Sequence, residues 1–283
     1  MKEDIDLDYT LVIAVSAAKN AGKVIKSFQE KEIATHRKER LDIVSEVDIE
    51  VENEIIDTLR KHYPHHYFSS EEAGKAKRED GISNRYEWII DPIDGTINFV
   101  SGLPFFSTSI ALQRNGKTLL GVIHNPHSGE IYTSIAGRGC FLNGKKLRAS
   151  EKHDLGDSVF SFMLTSHYDE KQIESILRIV KGLAMVSRGL RLYVSQAIEL
   201  GYIASGKLEG TVCIKSRGFS AAAGVLLVRE AGGMVTDIHG YEFGNSSRSL
   251  LATNSVLHGE LLEILSESGP QKRRRMGGDI WLK

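Results

Sequence analysis

The run Trp88–Phe99 reads WIIDPIDGTINF. Trp88, Ile89 and Ile90 form a short continuous apolar stretch, the pattern of a buried strand. Asp91 and Asp94 follow at once, with Pro92 expected to stop the strand and Gly95 to turn the chain sharply. A hydroxyl, Thr96, and an amide, Asn98, complete the run. Acids at the end of a strand, then a Gly-Thr turn, suit a hard divalent cation and a bound phosphate. Oxygen donors are what Mg²⁺ selects, with several of its ligands left to water and substrate. Asp-x-x-Asp-Gly by itself is also an ordinary turn, because Asp and Gly both favour turns.

Upstream, Leu11, Val15, Ala18, Gly22 and Ile25 recur at steps of four and three and predict a helix over residues 8–30. Val47, Val51, Ile55 and Leu59 recur every four residues and predict a second, stopped before Pro64. Ser45-x-x-Asp48 stands at its start as a capping signature, so Asp48 reads as a helix cap. Tyr67-Phe68 leads as a short strand into Ser69-Ser70-Glu71-Glu72. Residues 74–85 are polar, carry Lys75, Lys77 and Arg78, and read as a mobile loop beside the site. His62, His65 and His66 surround Pro64 without a usual metal-ligand spacing and read as a solvated helix end.

Downstream, residues 105–147 are strand-rich. Asn115-Gly116 and Asn143-Gly144 mark hairpins, and the stretch reads as an antiparallel meander. Beyond residue 157, strands are expected at 158–164, 183–187, 209–214, 233–237 and 250–253. Helices are expected at 168–181, 191–205, 219–231 and 256–266. Gly232-Gly233 reads as a turn between a helix and a strand.

The chain has 283 residues and a formal charge of −1, which argues against a dedicated nucleic-acid or membrane-surface protein. Its N-terminus begins with acidic and polar residues, unlike a signal peptide, and no apolar run reaches the ~18 residues of a membrane span. Two cysteines, Cys140 and Cys213, without metal-type spacing point to a reduced, cytoplasmic setting. Residues 1–150 are expected to form an N-terminal α+β half carrying the metal and phosphate residues. Residues 151–268 form a C-terminal α/β half, and 269–283, with Lys272-Arg273-Arg274-Arg275, a frayed basic tail. Neither half is expected to fold alone.

The central run resembles the signature Asp-Pro-(Ile/Leu)-Asp-Gly-Thr-x-Asn-Phe of the inositol monophosphatase family. That family also includes fructose-1,6-bisphosphatases and nucleotide 3′-phosphatases. Asp42-Ile43-Val44-Ser45-Glu46-Val47-Asp48, Glu71-Glu72, Ala221-Ala222-Ala223-Gly224 and Glu230-Ala231-Gly232-Gly233 resemble its other segments, in order, from about residue 8 to 267. The resemblance implies an α+β, layered αβαβα fold with the site where the two halves meet, and a homodimer. It implies Mg²⁺ as cofactor, with Glu71 and Asp91 holding one ion and Asp91 and Asp94 sharing a second. The Ile93 carbonyl is a further ligand. Gly95 and Thr96 would cradle the phosphate, and Thr96 with Asp48 would orient the attacking water. Inositol-1-phosphate is the family's default substrate and fructose-1,6-bisphosphate the close alternative, ahead of adenosine 3′,5′-bisphosphate or NADP.

The chain departs from the pattern on the alcohol side. Phe219-Ser220 stands where the family has Trp-Asp, so Ser220 offers a neutral ligand in place of an anionic one. Cys213 stands where inositol monophosphatases carry a substrate-contacting Glu, and Val194-Ser195-Gln196 where they have Gly-Ser-Ala. Asp94, Ser195, Gln196 and Cys213 are the implied substrate contacts. Lys215 and Arg217, close by, read either as partners for a second phosphate or as a solvated pair. Ser220 leaves open a family member with weakened catalysis that binds phosphorylated ligands or regulates a partner.

Overall fold

The structure, a computed structural model, describes residues 5–28, 35–37, 43–74, 86–165, 168–216, 218–244 and 246–268. The outer layer is α1 (Leu7–Phe28) packed on α2 (Glu46–His62), with the antiparallel pair β1 (Thr35–Arg37) and β2 (Ile43–Ser45) between them in the chain. Val47, Val51, Ile55 and Leu59 of α2 are fully buried. Each such side chain contributes about 1.5–3 kcal/mol by leaving water, which fixes the face that α2 turns inward and with it the direction of Asp48.

These helices cover one face of a seven-stranded sheet in the order β3-β4-β5-β6-β7-β8-β9. Its strands are β3 (Tyr67–Ser70), β4 (Tyr86–Asp94), β5 (Ser107–Arg114), β6 (Lys117–Asn125), β7 (Glu130–Ile135), β8 (Cys140–Leu142) and β9 (Lys145–Lys146), with the one-turn helix α3 (Thr96–Val100) after β4. From β4 to β9 every pairing is antiparallel, the meander that the turn residues predict. Asn115 and Asn143 sit at φ 53° and 48°, each followed by a glycine with positive φ, the backbone of a type I′ hairpin turn.

Pro92 does not stop β4. The strand continues to Asp94, and its register against β5 shifts between Asp91↔Ser109 and Asp94↔Ser107. A proline is tolerated there because a bulge needs no ladder N–H from it. The Pro92 carbonyl takes the Thr108 hydroxyl at 2.9 Å instead.

The second half builds a five-stranded sheet in the order β11-β10-β12-β14-β13, from β10 (Val159–Phe162), β11 (Gly189–Arg191), β12 (Gly210–Cys213), β13 (Met234–Thr236) and β14 (Leu250–Thr253). α4 (Glu170–Val186) and α7 (His258–Ser268) pair on its outer face. α5 (Gln196–Ala204) and α6 (Gly218–Glu230) lie between the two sheets. The layers therefore run helix, sheet, helix, sheet, helix. Three apolar cores fill the spaces between them. The middle core mixes both halves of the chain, Ala111, Ile123 and Tyr132 with Leu200, Ala223 and Val228. Gly121 makes that contact close, since a Cβ there would stand 2.9 Å from the Ala223 Cα.

Two expected elements move. The strand expected at 183–187 is the end of α4, because Leu183 continues the buried stripe of Ile176 and Ile179 at helical spacing. The strand falls at Gly189–Arg191 instead, and the helix expected from 191 begins at Gln196. Gly232, at φ 87°, forms the expected turn between α6 and β13. His66 is not simply solvated: it stacks on Tyr63 at 4.7 Å between ring centres and accepts the Trp88 indole N–H at 3.1 Å. Residues 75–85, Arg217 and the basic tail lie outside the described residues. No described helix is long and apolar enough to cross a membrane.

Candidate active site

The bulge at the end of β4 delivers two acids to one place. Asp91 and Asp94 are buried, and the chain turns directly after them at Gly95, φ 93°. A Cβ on Gly95 would stand 2.8 Å from the Phe105 carbonyl oxygen and 3.3 Å from the Ser195 Cβ, so backbone angle and space both require glycine. Asn98, not assigned a role from sequence, locks the turn by donating to the Phe105 and Tyr193 carbonyls at 2.7 and 2.6 Å. Its signal was its place inside the central run.

β3 lies parallel to β4 and brings Glu71 alongside. The Glu71 N–H donates to the Ile90 carbonyl at 3.1 Å, so the acid is carried one residue past the strand pairing. Its side chain meets that of Asp91. Burial, then Glu71, then Asp94 push the Asp91 carboxyl well above the usual range, while a hydrogen bond with Ser220 pulls it down. Asp91 Oδ2 is buried with no hydrogen-bond partner. Ser220, in the first turn of α6 and 7% exposed, thus faces the acids.

Asp94 is held by the start of α5. Its Oδ2 accepts the Ser195 hydroxyl at 2.6 Å and the Ala197 N–H at 2.7 Å. Burial raises its carboxyl to about 6 against these bonds, with Glu71 adding to the rise. Val194, just before, has φ 56°, a strained angle for a β-branched residue. Ser195, Gln196 and Cys213 are expected from sequence to touch substrate. The structure buries all three, because α5 and β12 run through the middle core. Ser195 bonds Asp94, Gln196 pairs with the Ser216 hydroxyl at 3.0 Å, and the Cys213 sulfur lies 4.0 Å from the Tyr168 hydroxyl. Burial pushes the Cys213 thiol up to about 12, so it stays neutral. Lys215 follows on the same segment with its side chain exposed.

Asp48 caps α2 and also reaches Thr96. Its Oδ2 accepts the Ser45 N–H at 2.8 Å while its own N–H donates to Ser45 Oγ at 3.3 Å, a complete capping box. Its Oδ1 accepts the Thr96 hydroxyl at 3.2 Å. Burial raises Asp48 to about 6. The Thr96 hydroxyl has one proton for two acceptors, Asp48 Oδ1 and the Ile93 carbonyl at 3.0 Å. A carbonyl has two lone pairs, so Ile93 keeps acceptor capacity.

Among the described residues no three His, Cys, Asp or Glu side chains are gathered into a group that could hold a metal ion by themselves. The oxygens that could reach a cation are mixed: the Glu71, Asp91 and Asp94 carboxylates, the Ile93 carbonyl and the Ser220 hydroxyl. That is the oxygen-only, partly hydrated set that Mg²⁺ takes.

The inositol monophosphatase family model matches residues 6–269. Inositol monophosphatase 1 of Solanum lycopersicum is 35% identical over 95% of this chain and 98% of its own length. The fructose-1,6-bisphosphatase/inositol-1-monophosphatase of Thermotoga maritima is 36% identical over 80% of this chain and 83% of its own. The Nus factor SuhB of Pasteurella multocida is 36% identical over 89% and 94%. The solved Thermotoga maritima inositol monophosphatase superposes with a TM-score of 0.82 at 32% identity, over 93% of this chain and 97% of that one. The match runs from the first helix to the last, on the same layered fold, and the chain belongs to the inositol monophosphatase family.

Proposed function

We propose that this chain is a Mg²⁺-dependent phosphomonoester hydrolase acting on inositol-1-phosphate, fructose-1,6-bisphosphate or both. One observation carries the reading: Glu71 and Asp91 meet side chain to side chain, and Asp91 Oδ2 is buried without a partner. Two carboxylates in contact need a proton or a cation between them. Glu71 and Asp91 would hold one ion. Asp91, Asp94 and the Ile93 carbonyl would hold a second, with Ser220 and water completing it. Bound there, Mg²⁺ would neutralise the ester, lower the pKa of water and stabilise the leaving oxygen.

The protein's own part is to orient and to move a proton. Gly95 and Thr96 present first-turn amides of α3, which lack partners inside the helix, to the phosphate. Asp48, at about 6, is mostly ionised at neutral pH. When the Thr96 hydroxyl turns its proton to Asp48 Oδ1, its oxygen is left to accept a hydrogen bond from a water at the phosphate. A proton leaving that water passes to Thr96 Oγ1 as the Thr96 proton passes to Asp48. On the alcohol side, Ser220 is neutral where the family pattern is acidic, and Lys215 is exposed. That balance supports a second anionic group on the substrate.

A second reading follows from Ser220: a member with weakened catalysis that acts by binding a phosphorylated ligand or a partner. The relatives named as Nus factors favour it. Phosphate release with Mg²⁺ from inositol-1-phosphate, fructose-1,6-bisphosphate, adenosine 3′,5′-bisphosphate and NADP separates the two. Turnover of at least one of the first two, abolished by chelator, is expected. No release from any of them supports the binding role.

A further inference from the structure

We propose that Glu52 is a positioning residue for the cation site, acting through the backbone of the turn that carries Glu71. This rests on the metal-dependent reading above. Glu52 lies on α2 one turn after Asp48 and is 6% exposed. Its Oε2 accepts the Glu72 N–H at 3.2 Å. The turn from Glu71 to Gly74 has every N–H engaged. Glu71 bonds the Ile90 carbonyl, Ala73 the Ser70 hydroxyl at 3.2 Å, and Gly74 the Ser70 carbonyl at 2.9 Å. Those three partners belong to β3 and β4, whereas Glu52 comes from the outer helix layer. It ties the turn to α2.

The consequence is a fixed spacing. Asp48 and Glu52 are four residues apart, which on a helix is a rise of about 6 Å. Asp48 bonds Thr96 and Glu52 bonds the Glu71–Glu72 turn. One rigid helix thus sets the proton-accepting side of the site against the acid that meets Asp91. A site already holding Glu71, Asp91 and Asp94 gains repulsion from another acid. A carboxylate at position 52 is explained by the strong bond it makes to a backbone N–H.

The test compares Glu52→Leu, which removes the acceptor, with Glu52→Gln, which keeps it. Mg²⁺ alone is titrated calorimetrically into each full-length protein, and hydrogen exchange of the 71–74 segment is followed by mass spectrometry without metal. Loss of an outer partner weakens metal affinity roughly tenfold or more. That loss is expected in Glu52→Leu, together with faster exchange at 71–74, while Glu52→Gln stays within about twofold of the parent. Unchanged affinity in folded Glu52→Leu overturns the role. So does equal loss in Glu52→Gln, which would make the charge itself the ligand. If Glu52→Leu does not fold, Glu52→Ala, which also lacks the acceptor, takes its place in both measurements. A parent that binds no Mg²⁺ overturns the metal reading instead, and the metal-free exchange comparison still judges Glu52.

Discussion

The hydroxyl of Ser220 bonds to Asp91 where the family pattern carries an aspartate. A neutral donor lowers the charge facing a dication by one, so the second ion should bind weakly. Ser220→Asp restores that charge beside Asp91, where a contact at an effective dielectric near 20 is worth roughly 4 kcal/mol before desolvation. The variant is expected to reach half-maximal activity at lower Mg²⁺ and, metal-free, to melt at a lower temperature because a buried acid is added to acids. A Mg²⁺ titration of activity checks this, and an unchanged or higher requirement contradicts it. The position of Ser220 was legible because α6 places it by a continuous motif. The cap formed by Asp48 was legible too, since a capping box is local, while its bond from Thr96 was legible only through the family resemblance. Ser195 was not. Spacing puts it near the site, but whether a hydroxyl faces substrate or a neighbouring carboxylate depends on packing that no local pattern encodes.

α5 is the element on which the site leans. Its first amides and Ser195 grip Asp94, and one turn further Glu199, fully buried, grips the second sheet. Glu199 accepts the Ser161 hydroxyl at 3.0 Å and the Thr211 hydroxyl, and its Oε1 has no partner. Burial raises it from 4.5 to about 7. The folded state then holds a proton that the unfolded state releases above 4.5. Stability therefore falls as pH rises from about 4.5 to 7 and levels off above that. Glu199→Gln removes this part of the slope, on the order of 3 kcal/mol at full weight. Asp48 and Asp94 keep a slope of the same sign. Urea denaturation in chelator at pH 5 and pH 8 should show a smaller difference for the variant than for the parent, and an equal difference contradicts the assignment. α5 also marks the limit of the sequence reading. Apolar periodicity located α1 and α2, and the Asn-Gly turns located the meander. Between 183 and 196 the same apolar residues serve helix, strand and turn in quick succession, so their boundaries were set by burial against α7 and β10.

The three cores make the molecule a single stack. Ala111 and Ile123 of the first half share the middle core with Leu200 and Val228 of the second. Residues 1–150 expressed alone would expose that face and should lack a cooperative melting transition, and a sharp one would contradict the shared core. The layer order was legible only through resemblance to a family, because which helix lies between the sheets is a long-range fact. The stack closes around Asp91, held by β4, met by Glu71 from β3 and capped by Ser220 from α6. The most direct measurement is Mg²⁺-dependent phosphate release by the parent and by Asp91→Asn, with metal-free melting of both. The parent should depend on Mg²⁺ saturably and stop in excess chelator. Asp91→Asn should lose orders of magnitude in turnover while melting no lower, since it removes a buried acid from a crowded site. Undiminished turnover in Asp91→Asn, or full activity of the parent in chelator, would contradict a cation held at Asp91.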